Sequence, residues 1–431
     1  MKVLVVGSGG REHALVWKLK QSPRVSRLMC APGNAGIGEL AELVPLKADD
    51  VDGLFEFAKK NRIDLTVVGP EVPLVNGIVD LFEKNGLRIF GPGKYAAQLE
   101  GSKAFAKRFL EKYHIPTASY RIFTRAESGA SEKYVLSKRT PLVLKADGLA
   151  GGKGAVVCHT TGDALNMLRD CFGNKVFGDA GATVVVEEFM VGEEASVFAL
   201  SDGTGYTLLR PAQDHKQILD GDRGKNTGGM GAYAPAPLMT PSLMKRVEEE
   251  IVVPTFEGMR SEGKPYKGCL YVGLMITSDG PKVVEFNCRF GDPEAQVVLP
   301  LIDGDLFELL LACATGTLQS VNIRHHAAAA VCVVMASRGY PDSYETGKRI
   351  SGLESIRPDD GVVVFHAGTK KEGDAVVSSG GRVLGVTAIS YEDDLEGTIT
   401  NAYTALKKIS FDGAYYRSDI GRKGLKRSTS G

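Results

Sequence analysis

The chain has 431 residues, too many for one hydrophobic core, so length alone predicts about two to four domains. Lys plus Arg and Asp plus Glu balance at 52 each, which removes the electrostatic case for a nucleic-acid or membrane-surface protein, although local basic patches fit within a neutral sum. At 43% hydrophobic and 24% charged residues, with no apolar run long enough for a membrane helix and seven scattered cysteines without a CxxC pair, the composition predicts a soluble globular protein with reduced thiols and argues against a structural zinc.

Residues 1 to about 100 alternate strands with helices. Strands are predicted at 2–6, 26–31, 64–68 and 87–90, the pattern of a parallel sheet with right-handed crossovers. The opening run Met1–Val6 is a first strand rather than a signal peptide, because Gly7 and the charged Arg11-Glu12 break it early. Each strand runs into a loop containing glycine or proline: Gly7–Arg11, Pro32–Gly36, Gly69–Glu71 and Gly91–Gly93. Ligands of open α/β sheets gather at the carboxyl ends of the strands, which makes Gly9, Gly10, Arg11, Asn34, Gly36 and Glu71 candidate substrate residues. A dinucleotide fold is the rival. Gly7-Ser8-Gly9 fits the start of GxGxxG, but Glu12 holds the third glycine position, and Cys30-Ala31-Pro32-Gly33 stands where an acidic ribose ligand would follow the second strand. The first loop is therefore read as a phosphomonoester site, with N–H donors from Gly9 and Gly10 at a helix start and a positive charge from Arg11. A tight turn with a surface arginine is the plainer alternative.

Ser102 can cap a helix that opens at Lys103. Leu142–Asp147, with Pro141 at its start, reads as a strand running into Gly148–Gly154 and then the apolar Ala155–Cys158. Strand, glycine-rich loop, strand can cover a phosphate, since glycines such as Gly151 and Gly152 let backbone N–H groups approach closely and Lys153 adds a point charge; a flexible hairpin loop is the plain alternative. It is not a P-loop, because Asp147 and Gly154 occupy the positions where that motif needs Gly and Ser or Thr. Thr183–Met190 reads as a buried strand entering the acidic turn Val191–Ser196. A purine can pair with backbone at such a strand end, and a carboxylate just beyond can accept from ribose hydroxyls. A solvated acidic turn is the plain reading of the same residues.

The run Val283–Glu294 carries the most chemistry. Side chains alternate along a strand, so Glu285, Asn287 and Arg289 point one way and Val284, Phe286 and Cys288 the other. Carboxylate and amide oxygens suit a hard cation such as Mg²⁺, and a guanidinium two residues on suits a carboxylate or phosphate held bidentately. From about 327 the texture changes. Ala327–Met335, Gly361–Phe365 and Arg382–Ile389 read as apolar strands and Leu395–Ile409 as a helix, followed by a basic Gly- and Ser-rich tail expected to be disordered.

These pieces, together with Val6–Leu15, Gln213-Asp214-His215-Lys216 and Asn226–Tyr233, resemble the ATP-grasp ligases, and among them the phosphoribosylamine–glycine ligase family of purine biosynthesis. The resemblance runs from residue 1 to about 420. It implies an α/β protein with the ATP-grasp fold: an open parallel α/β substrate domain at 1–101, the ATP-grasp module at 102–326 with a lid at about 120–190, a small mixed α+β domain at 327–420, and the tail at 421–431. It implies ligation of glycine to 5-phosphoribosylamine, with ATP converted to ADP and phosphate through glycyl phosphate, in a cytoplasmic monomer that uses Mg²⁺ or Mn²⁺ and binds neither nucleic acid nor membrane.

Carried over residue by residue, the resemblance assigns Lys103, Lys145 and Lys153 to the nucleotide phosphates, with Gly151 and Gly152 in the covering loop. Glu187, Glu188, Phe189 and Met190 line the adenine slot, and Glu194 or Glu193 takes the ribose. Glu285 and Asn287 bind the metal, while many ATP-grasp relatives carry a further metal carboxylate where this chain has Gly273. Asn226 reaches phosphates or metal. Arg289 and Asp292 are candidates for the carboxylate and amine of glycine, Asp292 alternatively bracing Arg289. Asp214 and Lys216 are further active-site groups, and His215 is a base or a structural residue. The rivals are another ATP-grasp ligase acting on a carboxylate and an amine, and a nucleotide-binding regulator with a dead site.

Overall fold

The computed structural model describes residues 1–149, 154–392 and 394–428. Its first sheet contains β1 (Lys2–Gly7), β2 (Arg27–Pro32), β3 (Glu42–Leu43), β4 (Leu65–Val68) and β5 (Ile89–Phe90), in the order β3-β2-β1-β4-β5 with every pairing parallel. Val3–Val6 are fully buried because helices cover both faces, which is why the strand reads as one apolar run without alternation. Helix α1 (Gly10–Leu19) leaves the carboxyl end of β1, at the point where the strand order reverses.

The segment expected to form the lid builds an antiparallel sheet, β6 (Tyr120–Thr124), β7 (Leu142–Ala146), β8 (Ala155–Cys158) and β9 (Thr183–Glu188), in the order β6-β9-β7-β8. The helix Thr161–Phe172, capped by Thr160, packs Met167, Leu168 and Cys171 onto it. A third sheet joins β10 (Glu193–Asp202), β11 (Tyr206–Leu208) and two later strands, Lys267–Thr277 and Gly280–Asn287, and carries the second large core. The Lys103–Lys112 helix begins where the Ser102 hydroxyl accepts from the Phe105 N–H, and Asp147 reinforces the cap by accepting from the Ala104 N–H at 2.6 Å.

The last sheet crosses the boundary expected at residue 326. The strands Ala329–Ser337, Arg382–Ser390 and Val362–His366 pair with two from far upstream, β12 (Gln213–Asp214) and β15 (Gly231–Ala234), whose Gly231–Ala234 backbone runs antiparallel to Ala330–Val333. The hairpin of β13 (Gln217–Leu219) and β14 (Arg223–Asn226) projects between them. The tail expectation is also corrected. Arg422–Ser428 is a helix, with Leu425 against the carboxyl-terminal core and Lys423 2.5 Å from Asp222. Composition marked this segment as unstructured, but Leu425 and Lys423 meet partners distant in sequence that a local reading does not see. All seven cysteines are buried and unpaired. No helix among the described residues is long and apolar enough to cross a membrane.

Candidate active site

A cavity of about 550 Å³ opens between the sheets, lined by residues from the first loops to Arg382. On its nucleotide side two lysines share one carboxylate. Lys145 Nζ lies 3.0 Å and Lys107 Nζ 3.1 Å from Glu187, with all three side chains at most 6% exposed. Strand pairing of β7 with β9 sets this clamp, and Lys145 also donates to the Val284 carbonyl at 2.9 Å. Burial pushes Lys107 down to about 8, with Glu187 opposing the shift and Lys145 adding to it. Lys103, one helical turn before Lys107, lines the same wall and reaches the Gly148 carbonyl at 3.3 Å. The Glu187 carboxylate is thus held in the lysine clamp, while the residue lines the same cavity. Glu188, Phe189 and Met190 line the cavity at the strand end, and Glu194 does so where Glu193 does not. Gly151, Gly152 and Lys153 lie outside the described residues.

The metal strand departs from simple alternation. Leu274 pairs with Val283 and Gly273 with Glu285, so the strand carries one extra residue, Val284. This bulge puts Val283 into the core with Phe286 and turns Val284 with Glu285 to the cavity, correcting the expectation that Val284 shares the apolar face. Glu285 and Asn287 both face the cavity. Burial would raise the Glu285 carboxyl, but Lys216, Lys145, Lys103 and Arg289 outweigh it and hold the group below the usual range. A Cβ at Gly273 would lie 3.2 Å from the Glu285 Cγ and 3.1 Å from the Tyr271 ring, so the position that carries a carboxylate in many relatives has little room here for one. Among the described residues no cluster of three His, Cys, Asp or Glu side chains is arranged for a metal. The Glu285–Asn287 pair fits a hard cation that draws its remaining ligands from phosphate oxygens and water.

Lys216 bridges this strand to β10, 3.0 Å from Glu194 and 3.9 Å from Glu285. Beside it Asp214 is buried, and its carboxyl is pushed up to about 8 by burial, against the pull of Lys216 and with repulsion from Glu294. His215 turns away from the cavity. Its Nε2 accepts the Gly421 N–H at 3.2 Å, Nδ1 is 3.7 Å from Asp222, and burial lowers its pKa, so the structural reading of this residue is favoured over a base.

Arg289 is held by Glu100 at 2.6 Å and Glu71 at 3.4 Å. Asp292 accepts from Gln296 at 2.8 Å and lies 3.4 Å from Arg382, rather than bracing Arg289. The first loop is not an open phosphate cradle. Glu12, three residues into α1, reaches back to the Gly9 N–H at 2.5 Å, and Arg11 bonds Glu12 at 2.6 Å and the Phe290 carbonyl at 3.2 Å. A glutamate at this helix position satisfies the cap backbone itself, which the motif reading overlooked. Arg11 and Glu71 line the cavity, whereas Gly9, Gly10, Asn34 and Gly36 stand behind it. Asn34 donates to the Ser8 and His366 carbonyls at 2.8 Å each, and a Cβ at Gly36 would fall 2.4 Å from the His366 ring. These residues seat the first module against the last.

The sequence reading passed over Lys107, Glu100, Glu294, Tyr271 and Arg382, all of which line the cavity. Lys107 is recoverable from its four-residue spacing to Lys103, and Glu294 from its place in Gly291-Asp292-Pro293-Glu294. Arg382 carries no local signal.

Comparison with known proteins follows this layout. Residues 1–100 match the phosphoribosylglycinamide synthetase N domain, 101–295 its ATP-grasp (A) domain and 330–423 its C domain. The chain is 52% identical over 428 residues to phosphoribosylamine–glycine ligase of Chlorobaculum tepidum, covering 99% of this chain and 100% of the relative. The crystal structure of phosphoribosylamine–glycine ligase from Thermotoga maritima superposes with a TM-score of 0.81 at 33% identity, covering 97% of this chain and 100% of that one. The biotin carboxylase domain of Hydrogenobacter thermophilus 2-oxoglutarate carboxylase, solved with MgADP, shares the fold at a TM-score of 0.73 and 16% identity over 96% of this chain and 91% of that one.

Proposed function

Because the chain belongs to the phosphoribosylamine–glycine ligase family, an ATP-grasp family that uses ATP and a divalent metal, we propose that the cavity described above is where it joins glycine to 5-phosphoribosylamine. The activity is an ADP-forming carbon–nitrogen ligation in purine biosynthesis. The glycine carboxylate attacks the γ-phosphorus and ADP leaves, giving glycyl phosphate. The sugar amine then attacks the acyl carbon, phosphate leaves, and the nitrogen gives up a proton.

No side chain needs to form a covalent bond, so the residues act by position and charge. In this reading Lys103 and Lys145 hold the phosphates. Phe189 and Met190 flank the adenine, and Glu194 takes the ribose. Glu285 and Asn287 hold Mg²⁺, which when bound offsets phosphate charge. Asn226 and Lys216 face the transferred group, Asp214 faces the reacting pair, and Arg11 and Glu71 border the sugar. Charge balance and reduced thiols support a cytoplasmic enzyme of small molecules, and light scattering tests whether it is a monomer.

The observation that carries the reading is the convergence of Lys103, Lys145, Lys216 and Arg289 on Glu285 in one cavity. ADP release measured with glycine and phosphoribosylamine omitted in turn tests it. Release should need glycine, and release with another amino acid in its place would point to a different ATP-grasp ligase.

A further inference from the structure

We propose, resting on the ligase reading above, that Arg382 is a substrate-binding residue whose guanidinium holds an anionic group, either the sugar phosphate or the glycine carboxylate. Among the described residues lining the cavity, Arg382 alone comes from beyond Glu294. It opens the strand Arg382–Ser390, where Met335 pairs with Leu384 and Ala336 with Arg382. The strand therefore bulges at Val383, which is buried in the carboxyl-terminal core, and the bulge lets the arginine reach the cavity.

Its bonding differs from that of the other arginines in the cavity. Nη1 donates to the carbonyls of Gly228 and Asp292, each at 2.6 Å, and lies 3.4 Å from the Gly229 carbonyl. These acceptors are neutral, so they orient the guanidinium without cancelling its charge. The one carboxylate paired with it, Asp292, is 3.4 Å from Nη2 and already accepts from Gln296. Arg289 has two carboxylates, Glu100 and Glu71, and Arg11 has Glu12 at 2.6 Å. A substrate anion beside Arg289 would meet two like charges, whereas beside Arg382 it meets a cation with an outer nitrogen only distantly paired.

The backbone opposite is shaped to this side chain. A Cβ at Gly228 would lie 3.0 Å from the Arg382 Cζ, 3.1 Å from Nη2 and 3.2 Å from Nη1. The guanidinium plane is thus fixed before ligand arrives, as bidentate recognition of a carboxylate or phosphate requires.

Steady-state kinetics on full-length Arg382→Met and Arg382→Lys proteins test the proposal. Losing one charge-assisted contact should raise the KM of one anionic substrate roughly 10- to 100-fold, leave the KM of ATP unchanged, and be partly rescued by lysine. A rise confined to phosphoribosylamine assigns the phosphate, and one confined to glycine assigns the carboxylate. Tyr340→Phe is the control, because the Tyr340 hydroxyl accepts the Gly228 N–H at 2.9 Å and ties the same loop without presenting charge. That variant should keep both KM values. The proposal is overturned if Arg382→Lys lowers only kcat, or if Tyr340→Phe shifts the same KM as strongly. Wild-type ADP release without glycine would instead overturn the ligase reading itself, whatever the variants do.

Discussion

The two ends of the cavity keep their cations in opposite ways. On the nucleotide side Lys107 and Lys145 are buried and share the one carboxylate of Glu187, which fixes both and balances one of their two charges. At the corner where the modules meet, Arg382 is oriented by carbonyl oxygens, with its one carboxylate partner, Asp292, 3.4 Å from Nη2. The clamp fixes geometry and makes the wall depend on all three partners. The corner leaves charge for a ligand and ties the last module to the Gly228–Gly229 loop. Breaking the first arrangement should show as lost stability, and breaking the second as lost affinity.

The sharpest break is Glu187→Gln. The amide keeps the shape but leaves two buried ammonium groups facing each other, and removing one partner of a buried ion pair costs about 3–5 kcal/mol. Thermal melting should fall by several degrees, and the segment 120–190 should become protease-sensitive first. An unchanged melting temperature would mean the clamp is not dry. Next in size is Glu285→Gln, which removes the anionic oxygen facing the proposed Mg²⁺ while leaving the fold intact. Turnover should drop at least about 10²-fold, and near-normal turnover at low Mg²⁺ would remove Glu285 from the metal site.

A third test addresses the seam between the first and last modules. His13 Nδ1 accepts the His366 N–H at 2.8 Å, and both rings are buried. Burial, with repulsion from His366, lowers His13 to about 3, and burial lowers His366 to about 4. Both histidines are therefore neutral in the folded protein, while in the unfolded chain they take up protons below about 6.5. Their contribution is complete above that pH and is lost progressively as pH falls from about 6.5 towards the folded values, by about 1.4 kcal/mol per histidine at one unit below. Melting temperature should decline from pH 7.5 to 5.5, and His366→Gln should flatten part of that slope.

Legibility in the sequence followed the range of the interaction. The parallel sheet, the strand–loop–strand around Lys145 and the Glu285–Asn287 pair are written in runs of ten or so residues, and the structure brings Lys145, Glu285 and Asn287 to one cavity. What the reading missed depends on distant partners. Val284 bulges because its neighbour strand sets the register, and Glu12 closes the cap that looked like a phosphate cradle. Gln213-Asp214 and Gly231–Ala234 pair, directly or through each other, with a strand some hundred residues later. Arg382 meets Asp292 and Gly228 only in the folded chain, so no window around it carries the signal.

The smallest predicted effect separates burial from distance. Lys225, on the hairpin that carries Asn226, lies 2.7 Å from Asp342 in the last module, closer than either lysine lies to Glu187. By distance alone this pair should matter as much as the clamp. Its side chains are 68% and 61% exposed, however, so water screens the attraction and ordering two long side chains offsets much of the gain. Exposed pairs of this kind contribute about 0–1 kcal/mol. Asp342→Asn should leave the melting temperature within about a degree of wild type at moderate salt and should not change turnover, since Tyr340, Arg382 and the Arg417–Asp222 pair still hold the same hairpin and its following loop. A double-mutant cycle with Lys225→Met gives the coupling directly. A coupling above about 2 kcal/mol would mean that this contact, and not the buried groups around it, fixes the hairpin, and the contrast between the two ends of the cavity would then lose its basis in burial.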